Sequence, residues 1–207
     1  MTLRARLTAA LDRALDQPQT QDVFLYQTRP EPDGPFTPAA VLIAITDRPE
    51  PGMLFTLRHA GLRAHAGQVA FPGGRLDPED DDAIAAALRE AEEEIALPRD
   101  RVEILGRSDI FRTGTGFAIE PIVALVPPDL PLHPAEDEVE AIFEVPFAFL
   151  LDPANRQYKT IEWQGGERSF YEYVWEEQRI WGVTAAMLVN LTRRIEAADA
   201  AAARGQR

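Results

Sequence analysis

Glu90, Glu93 and Glu94 stand at i, i+3 and i+4 in the run Ala87–Leu97. On a helix turning about 100° per residue they share one face. Carboxylates so close repel one another unless a positive charge sits among them. Hard divalent cations accept such oxygens, usually one or two carboxylates with water and substrate phosphate. A solvated acidic helix face is the other use of this pattern. Upstream lie Arg58 and Arg63 with His59 and His65, followed by Phe71-Pro72-Gly73-Gly74. Arginine is the usual fork for phosphate oxygens, although charged loop residues are mostly plain surface. Acids for a cation, arginines for phosphate and a glycine turn between them are the parts that phosphate chemistry needs.

Surrounding elements must position these groups. Ile84, Leu88, Ala91 and Ile95 form an apolar stripe roughly opposite the glutamates, predicting a helix that faces a core. Leu3, Leu7, Ala10, Leu11 and Ala14 predict an amphipathic helix over Thr2 to Leu15, and residues 17–38 read as a connector. Ala39–Thr46 and Met53–Arg58 read as a strand hairpin around Asp47–Gly52. Val102–Leu105 is a short strand, 107–116 a polar loop, and Phe117–Val126 a strand whose Pro121 predicts an edge or a bulge. Ala141–Pro146 reads as a strand and Phe147–Leu151 as a short helix. Tyr158–Trp163 and Arg168–Trp175 flank Gly165-Gly166 as a hairpin, with aromatics suited to a core. A last helix opens at Ile180 and runs to about Ala200, with the residues past Ala201 frayed.

The stretch Phe71–Leu97 resembles the signature of the Nudix hydrolases, which cleave a diphosphate linked to another moiety. That signature is Gly, five residues, Glu, seven residues, then Arg-Glu-apolar-any-Glu-Glu-any-Gly-apolar. Arg89, Glu90, Ala91, Glu93, Glu94 and Leu97 match its second half. The loop is one residue longer than the consensus, the early acid is Asp80 or Asp81, and Ala96 replaces the late glycine. Leu54, Thr56, Arg58, Arg63, Gly67 and Phe71–Gly74 resemble a second motif, which precedes the signature in Nudix enzymes acting on coenzyme A. Phe55 and His59 depart from it. Thr115-Gly116-Phe117 and Ile180–Leu188 also look like that subfamily. The likeness spans roughly residues 38–190.

The resemblance implies a Nudix-type α/β/α sandwich, with a mixed sheet and extra N- and C-terminal helices. It implies one domain over 1–207: an N-terminal helix and connector (1–37), a core (38–190), and the helix end with a frayed tail (191–207). Mg²⁺ or Mn²⁺ would be held by Glu90, Glu93, Glu94 and the Gly74 carbonyl. Arg89 would orient the cluster by salt bridge, and Glu93 or Glu138 would accept the water proton, with Glu136 second to Glu138 as the late acid. Arg58, Arg63, Gly67, Phe71 and Gly73 would meet the substrate. The implied reaction splits coenzyme A or acyl-coenzyme A into adenosine 3′,5′-bisphosphate and 4′-phosphopantetheine or its acyl form. Another diphosphate substrate (ADP-ribose, a dinucleotide, a nucleoside triphosphate) and a non-catalytic binding module are the alternatives.

Composition bounds the rest. The 207 residues carry a formal net charge of −13, which argues against nucleic-acid and anionic-membrane partners. A small nucleotide-derived substrate must then be met by local arginines and a metal ion. The chain has no cysteine, which fits a reducing cytoplasm. No run approaches a membrane span, and residues 1–20 do not look like a secretory signal. A monomer or a homodimer is expected.

Overall fold

Strand β1 (Thr37–Thr46) shows the plan of the molecule. Ala40, Leu42 and Ala44 are buried in one apolar cluster, while Ile43 and Ile45 are buried in another. A strand buried on both faces must have layers on both sides. The computed structural model describes residues 1–12, 34–163 and 166–205. Its elements run α1 (Leu3–Asp12), β1, β2 (Gly52–Arg58), β3 (Val69–Ala70), β4 (Gly73–Arg75), α2 (Ala83–Ile95), β5 (Glu103–Arg107), β6 (Phe111–Arg112) and β7 (Phe117–Val126). They continue as β8 (Val139–Pro146), α3 (Phe147–Leu151), β9 (Gln157–Trp163), β10 (Gly166–Trp175), β11 (Gln178–Trp181) and α4 (Gly182–Gly205).

The main sheet is mixed. β1 runs parallel to β7, from Thr37 opposite Phe117 to Thr46 opposite Val126. Its other pairings are antiparallel, in the path β3-β2-β1-β7-β5 with β4 on β1, β6 on β7 and β8 on β2. The alanines of α2 pack with Leu42, Ile122 and Ala124 on one face. On the other face Leu7 of α1 and Leu188, Leu191 and Ile195 of α4 join Ile43, Phe55 and Val123. This is the expected α/β/α sandwich with terminal helices. Arg6 ties the two helices of that second layer by an ion pair to Asp199 at 2.6 Å.

One departure from a regular sheet positions the site. β1 and β2 meet only at Ile45 opposite Met53, then diverge. The segment 69–75 fills the opening. Its first part pairs with β2 (Thr56 opposite Ala70), and its second part pairs with β1 (Val41 opposite Gly73). Between them the Leu42 amide donates to the Pro72 carbonyl at 2.8 Å. The glycine turn is thereby wedged into the sheet.

Several expectations need correction. The strand β11 covers Gln178–Trp181, so the last helix opens at Gly182 rather than Ile180, and it continues to Gly205 without fraying at Ala201. Pro121 is not on an edge, because β7 lies between β1 and β5/β6, but the β5–β7 ladder beside it does carry an irregularity, between Ile104 and Gly106. The Pro121 carbonyl accepts from the Ser108 amide at 2.8 Å, in the gap between β5 and β6. A residue's N and C=O point to the same side of a strand, so the missing N–H faces that gap. The connector up to residue 33 and the tip of the β9–β10 turn lie outside the described residues. Among the described residues no helix is long and apolar enough to cross a membrane.

Candidate active site

Asp82 caps α2, its side chain accepting from the Ala85 amide at 2.9 Å. The helix buries Ala83, Ala86, Ala87, Ala91 and Ile95 against the sheet, while Ile84 and Leu88 are only half-buried. Small alanines let the helix sit close, and this rotates the expected faces. Glu94 lies on the buried side, 4% exposed, rather than sharing an open face with Glu93. Ala96 ends the helix in the left-handed region at φ 54°, its amide donating to Ala91 and Glu92 carbonyls. This is the conformation for which glycine is the usual residue.

Glu94 is held from two sides. Its Oε2 accepts from the Gly73 amide at 3.2 Å, and its Oε1 faces Arg58 Nη1 at 3.5 Å. Burial pushes its carboxyl up to about 7; the Gly73 amide and Arg58 oppose this, while Glu90 and Glu138 add to it. Burial also raises Glu90, against its hydrogen bond from Arg89. A Cβ on Gly74 would stand 2.3 Å from Glu90 Oε1, so only glycine lets that carboxylate approach the turn. The loop before β8 hangs on the end of α2, through Ala135 N to Glu94 O at 2.9 Å and His133 N to Ile95 O at 3.1 Å. It sets Glu138, whose carbonyl accepts from the His59 amide, near enough for its charge to raise both Glu90 and Glu94. Glu136, like Glu138, is exposed.

Arg89 organises the open side. Its guanidinium donates to Asp80 (Nε to Oδ1 at 3.1 Å, Nη2 to Oδ2 at 2.9 Å), to Glu90 at 3.0 Å, to Glu93 at 3.1 Å and to the Arg75 carbonyl at 3.0 Å. Of the two candidates for the early acid, Asp80 is the one paired with Arg89. That hydrogen bond, ahead of all other causes, holds the Asp80 carboxyl below its ordinary value.

A cavity of about 520 Å³ opens beside this cluster. Arg58, Phe71, Gly73 and Gly74 line it on the cluster side, and Trp181 with Val183, Ala186 and Met187 line the opposite wall. Phe71 is chiefly a core residue, 2% exposed and stacked on Phe55 at 4.9 Å between centroids. Arg63 and Gly67 are absent from the lining and sit on the exposed loop after β2. Gly67 serves that loop as a turn at φ +66°, its amide donating to the Arg58 carbonyl at 3.1 Å. Arg75 and Arg112, which sequence reasoning did not select, do line the cavity. The only sequence signal for Arg75 is its place after Gly74.

The NUDIX domain profile matches residues 35–164 of this chain. The chain belongs to the Nudix family. It is similar to the Nudix hydrolase NudL of Cronobacter sakazakii, 45% identical over 157 residues that cover 76% of this chain and 82% of that one. NudL of Escherichia coli K12 is 46% identical over the same length and shares. Among solved structures, the C. elegans Ap4A hydrolase covers 52% of this chain and 79% of that one at 17% identity, with a TM-score of 0.45. The protein is thus a Nudix hydrolase acting on diphosphate-containing compounds. Nudix hydrolases generally use divalent ions such as Mg²⁺ or Mn²⁺.

The Nudix residues of this chain fit such an ion. Carboxylates and a carbonyl are the donor set that hard cations take. Glu94 is buried with its nearest cation 3.5 Å away, and Gly74 leaves space at Glu90 that a Cβ would fill. Among the described residues no three acids or imidazoles yet converge as a ligand set. Glu93, 59% exposed, is paired with Arg89 through one carboxylate oxygen at 3.1 Å.

The buried acid predicts a pH effect on the metal-free Nudix protein. With its folded value near 7 and an ordinary value near 4.5, Glu94 holds its proton more tightly when folded. Stability from this group is therefore full below about pH 4.5 and falls as pH rises through 7, by up to roughly 3 kcal/mol. Urea denaturation in EDTA should show wild type losing stability relative to Glu94→Gln between pH 4.5 and 7.5. A pH-independent difference would contradict the assignment.

Proposed function

We propose that the protein hydrolyses the diphosphate of coenzyme A or acyl-coenzyme A, using Mg²⁺ or Mn²⁺ held by Glu90, Glu93, Glu94 and the Gly74 carbonyl. The observation that carries this reading is the meeting of two motifs in one place. Arg58 and Gly73, from the motif resembling coenzyme A enzymes, both contact Glu94 of the Nudix helix, beside a cavity that continues to an apolar wall. A diphosphate with a long, partly apolar substituent fits such a space better than a compact nucleotide.

The chemistry the cation supplies is neutralisation of diphosphate charge and acidification of water. The residues do the rest. Arg58 Nε is buried with no hydrogen-bond acceptor among the described residues, and it donates to a phosphate oxygen. Arg89 fixes the carboxylates from behind. Glu138 has no ion-pair partner among the described residues and faces Glu90 and Glu94, so it takes the water proton in preference to Glu93, which Arg89 occupies. The water oxygen bonds to one phosphorus while the bridging oxygen leaves on the other, giving two monoesters.

A substrate panel tests the reading. With Mg²⁺ or Mn²⁺, kcat/KM for coenzyme A or acetyl-coenzyme A should exceed that for ADP-ribose, NADH and dGTP by about tenfold or more. Preference for ADP-ribose would keep the metal cluster and discard the upstream motif as a specificity code. Turnover of none of them would favour a binding module.

A further inference from the structure

The layer that covers the α4 face of the sheet stops short of one end. Along β1, Ile43 and Ile45 are fully buried, while Val41 on the same face is only half-buried. Along β7, Val123 and Leu125 are buried, while Phe117 and Ile119 on that face are half-buried. β1 and β7 are the paired central strands, where apolar side chains are ordinarily covered. Val183, Ala186 and Met187 stand at i, i+3 and i+4 of α4, on one face of the helix, and line the same cavity as Val41, Phe117 and Ile119. The cavity is thus an apolar gap between the first turns of α4 and the sheet. It runs on to Gly73 and Gly74, which touch Glu94 and Glu90 of the acid cluster. The polar side chains along the gap are committed to partners. The Thr184 hydroxyl donates to the Val69 carbonyl at 3.0 Å, the Thr113 and Thr115 hydroxyls bond each other at 2.9 Å, and His65 Nδ1 bonds Gln68 Oε1 at 2.9 Å. Arg58 pairs with Glu94, and His65, Arg75 and Arg112 are exposed, so positive charge lies at the mouth and not within.

We propose that the uncharged pantetheine half of the substrate enters this gap, while the nucleotide half stays outside it. The inference rests on the coenzyme A reading and adds which way round the substrate lies. The nucleotide half carries a phosphate monoester on its ribose, and a charge without a partner is costly in an apolar space. Its rigid purine would also bury ring nitrogens among side chains whose hydrogen bonds are already made. The pantetheine arm is a flexible chain in which methyl and methylene groups alternate with amides. The hydrocarbon groups can face Val41, Ile119 and Val183 while the amides turn to the open side.

The test measures product inhibition of coenzyme A hydrolysis in wild type, Val183→Trp and Ile119→Trp, which fill the gap from its two sides. Both variants should raise the inhibition constant of 4′-phosphopantetheine by about tenfold or more, and leave that of adenosine 3′,5′-bisphosphate within about twofold. Val183→Ala only trims the half-buried wall, so it should keep the wild-type thermal midpoint and weaken inhibition by 4′-phosphopantetheine by about threefold. Selective loss of inhibition by adenosine 3′,5′-bisphosphate would put the nucleotide half in the gap and overturn the proposal. Equal loss of both inhibitions, or a change in neither, overturns it too, and each of these outcomes leaves the coenzyme A reading standing. An enzyme that cleaves another diphosphate but not coenzyme A overturns both.

Discussion

Glu94→Gln is expected to lower kcat by about a hundredfold to a thousandfold while leaving the fold intact. The substitution keeps the shape and an oxygen to accept from the Gly73 amide. It removes the charge from the most buried of the four glutamates of α2. Because the native environment disfavours that charge, the metal-free variant should be at least as stable as wild type above pH 7. Lost turnover with retained stability separates chemistry from misfolding. Steady-state kinetics beside urea denaturation reads both. Near-wild-type kcat would remove Glu94 from the reaction. A destabilised variant would contradict the electrostatic account of the site.

Gly73→Ala is expected to be the most damaging single substitution for stability, at about 3 kcal/mol or more. The backbone there is at φ +154°, and an added Cβ would lie 2.3 Å from the Ala40 carbonyl oxygen and 2.6 Å from Val41 Cα. Those atoms belong to the central strand and cannot yield. Gly73 must also keep its amide on Glu94, so the fold and the site fail together. Gly74→Ala is the contrast. Its Cβ would meet the end of the Glu90 side chain, which can swing aside, so activity should fall more than stability. Thermal midpoints of the two variants decide the point. A Gly73→Ala protein as stable as wild type would mean that the turn is not wedged against β1.

Some of this was legible in the residues alone. Phe117–Val126 and Phe147–Leu151 were bounded as they occur, since Pro127-Pro128 and Pro146 punctuate them. The order of glycine turn, loop and acidic helix placed Gly73, Gly74, Glu90 and Glu94 correctly beside one another. Other features were not legible. Counting charges around α2 could not show that its alanines bury more fully than Ile84 and Leu88, and so could not show that Glu94 is buried. Counting back from Arg89 reached Asp81, but a loop one residue longer presents Asp80 instead. The far wall of the cavity comes from residues 181–187, over a hundred positions from the turn, and Arg112 from a short strand inside a loop.

The most direct test of the central claim is product identification from coenzyme A. Purified protein is incubated with coenzyme A and Mg²⁺ or Mn²⁺, with an EDTA control, and the products are resolved by chromatography. The account predicts adenosine 3′,5′-bisphosphate and 4′-phosphopantetheine in equal amounts, absent in EDTA and strongly reduced in Glu94→Gln. Intact coenzyme A, at enzyme concentrations that hydrolyse ADP-ribose or another diphosphate, would contradict it.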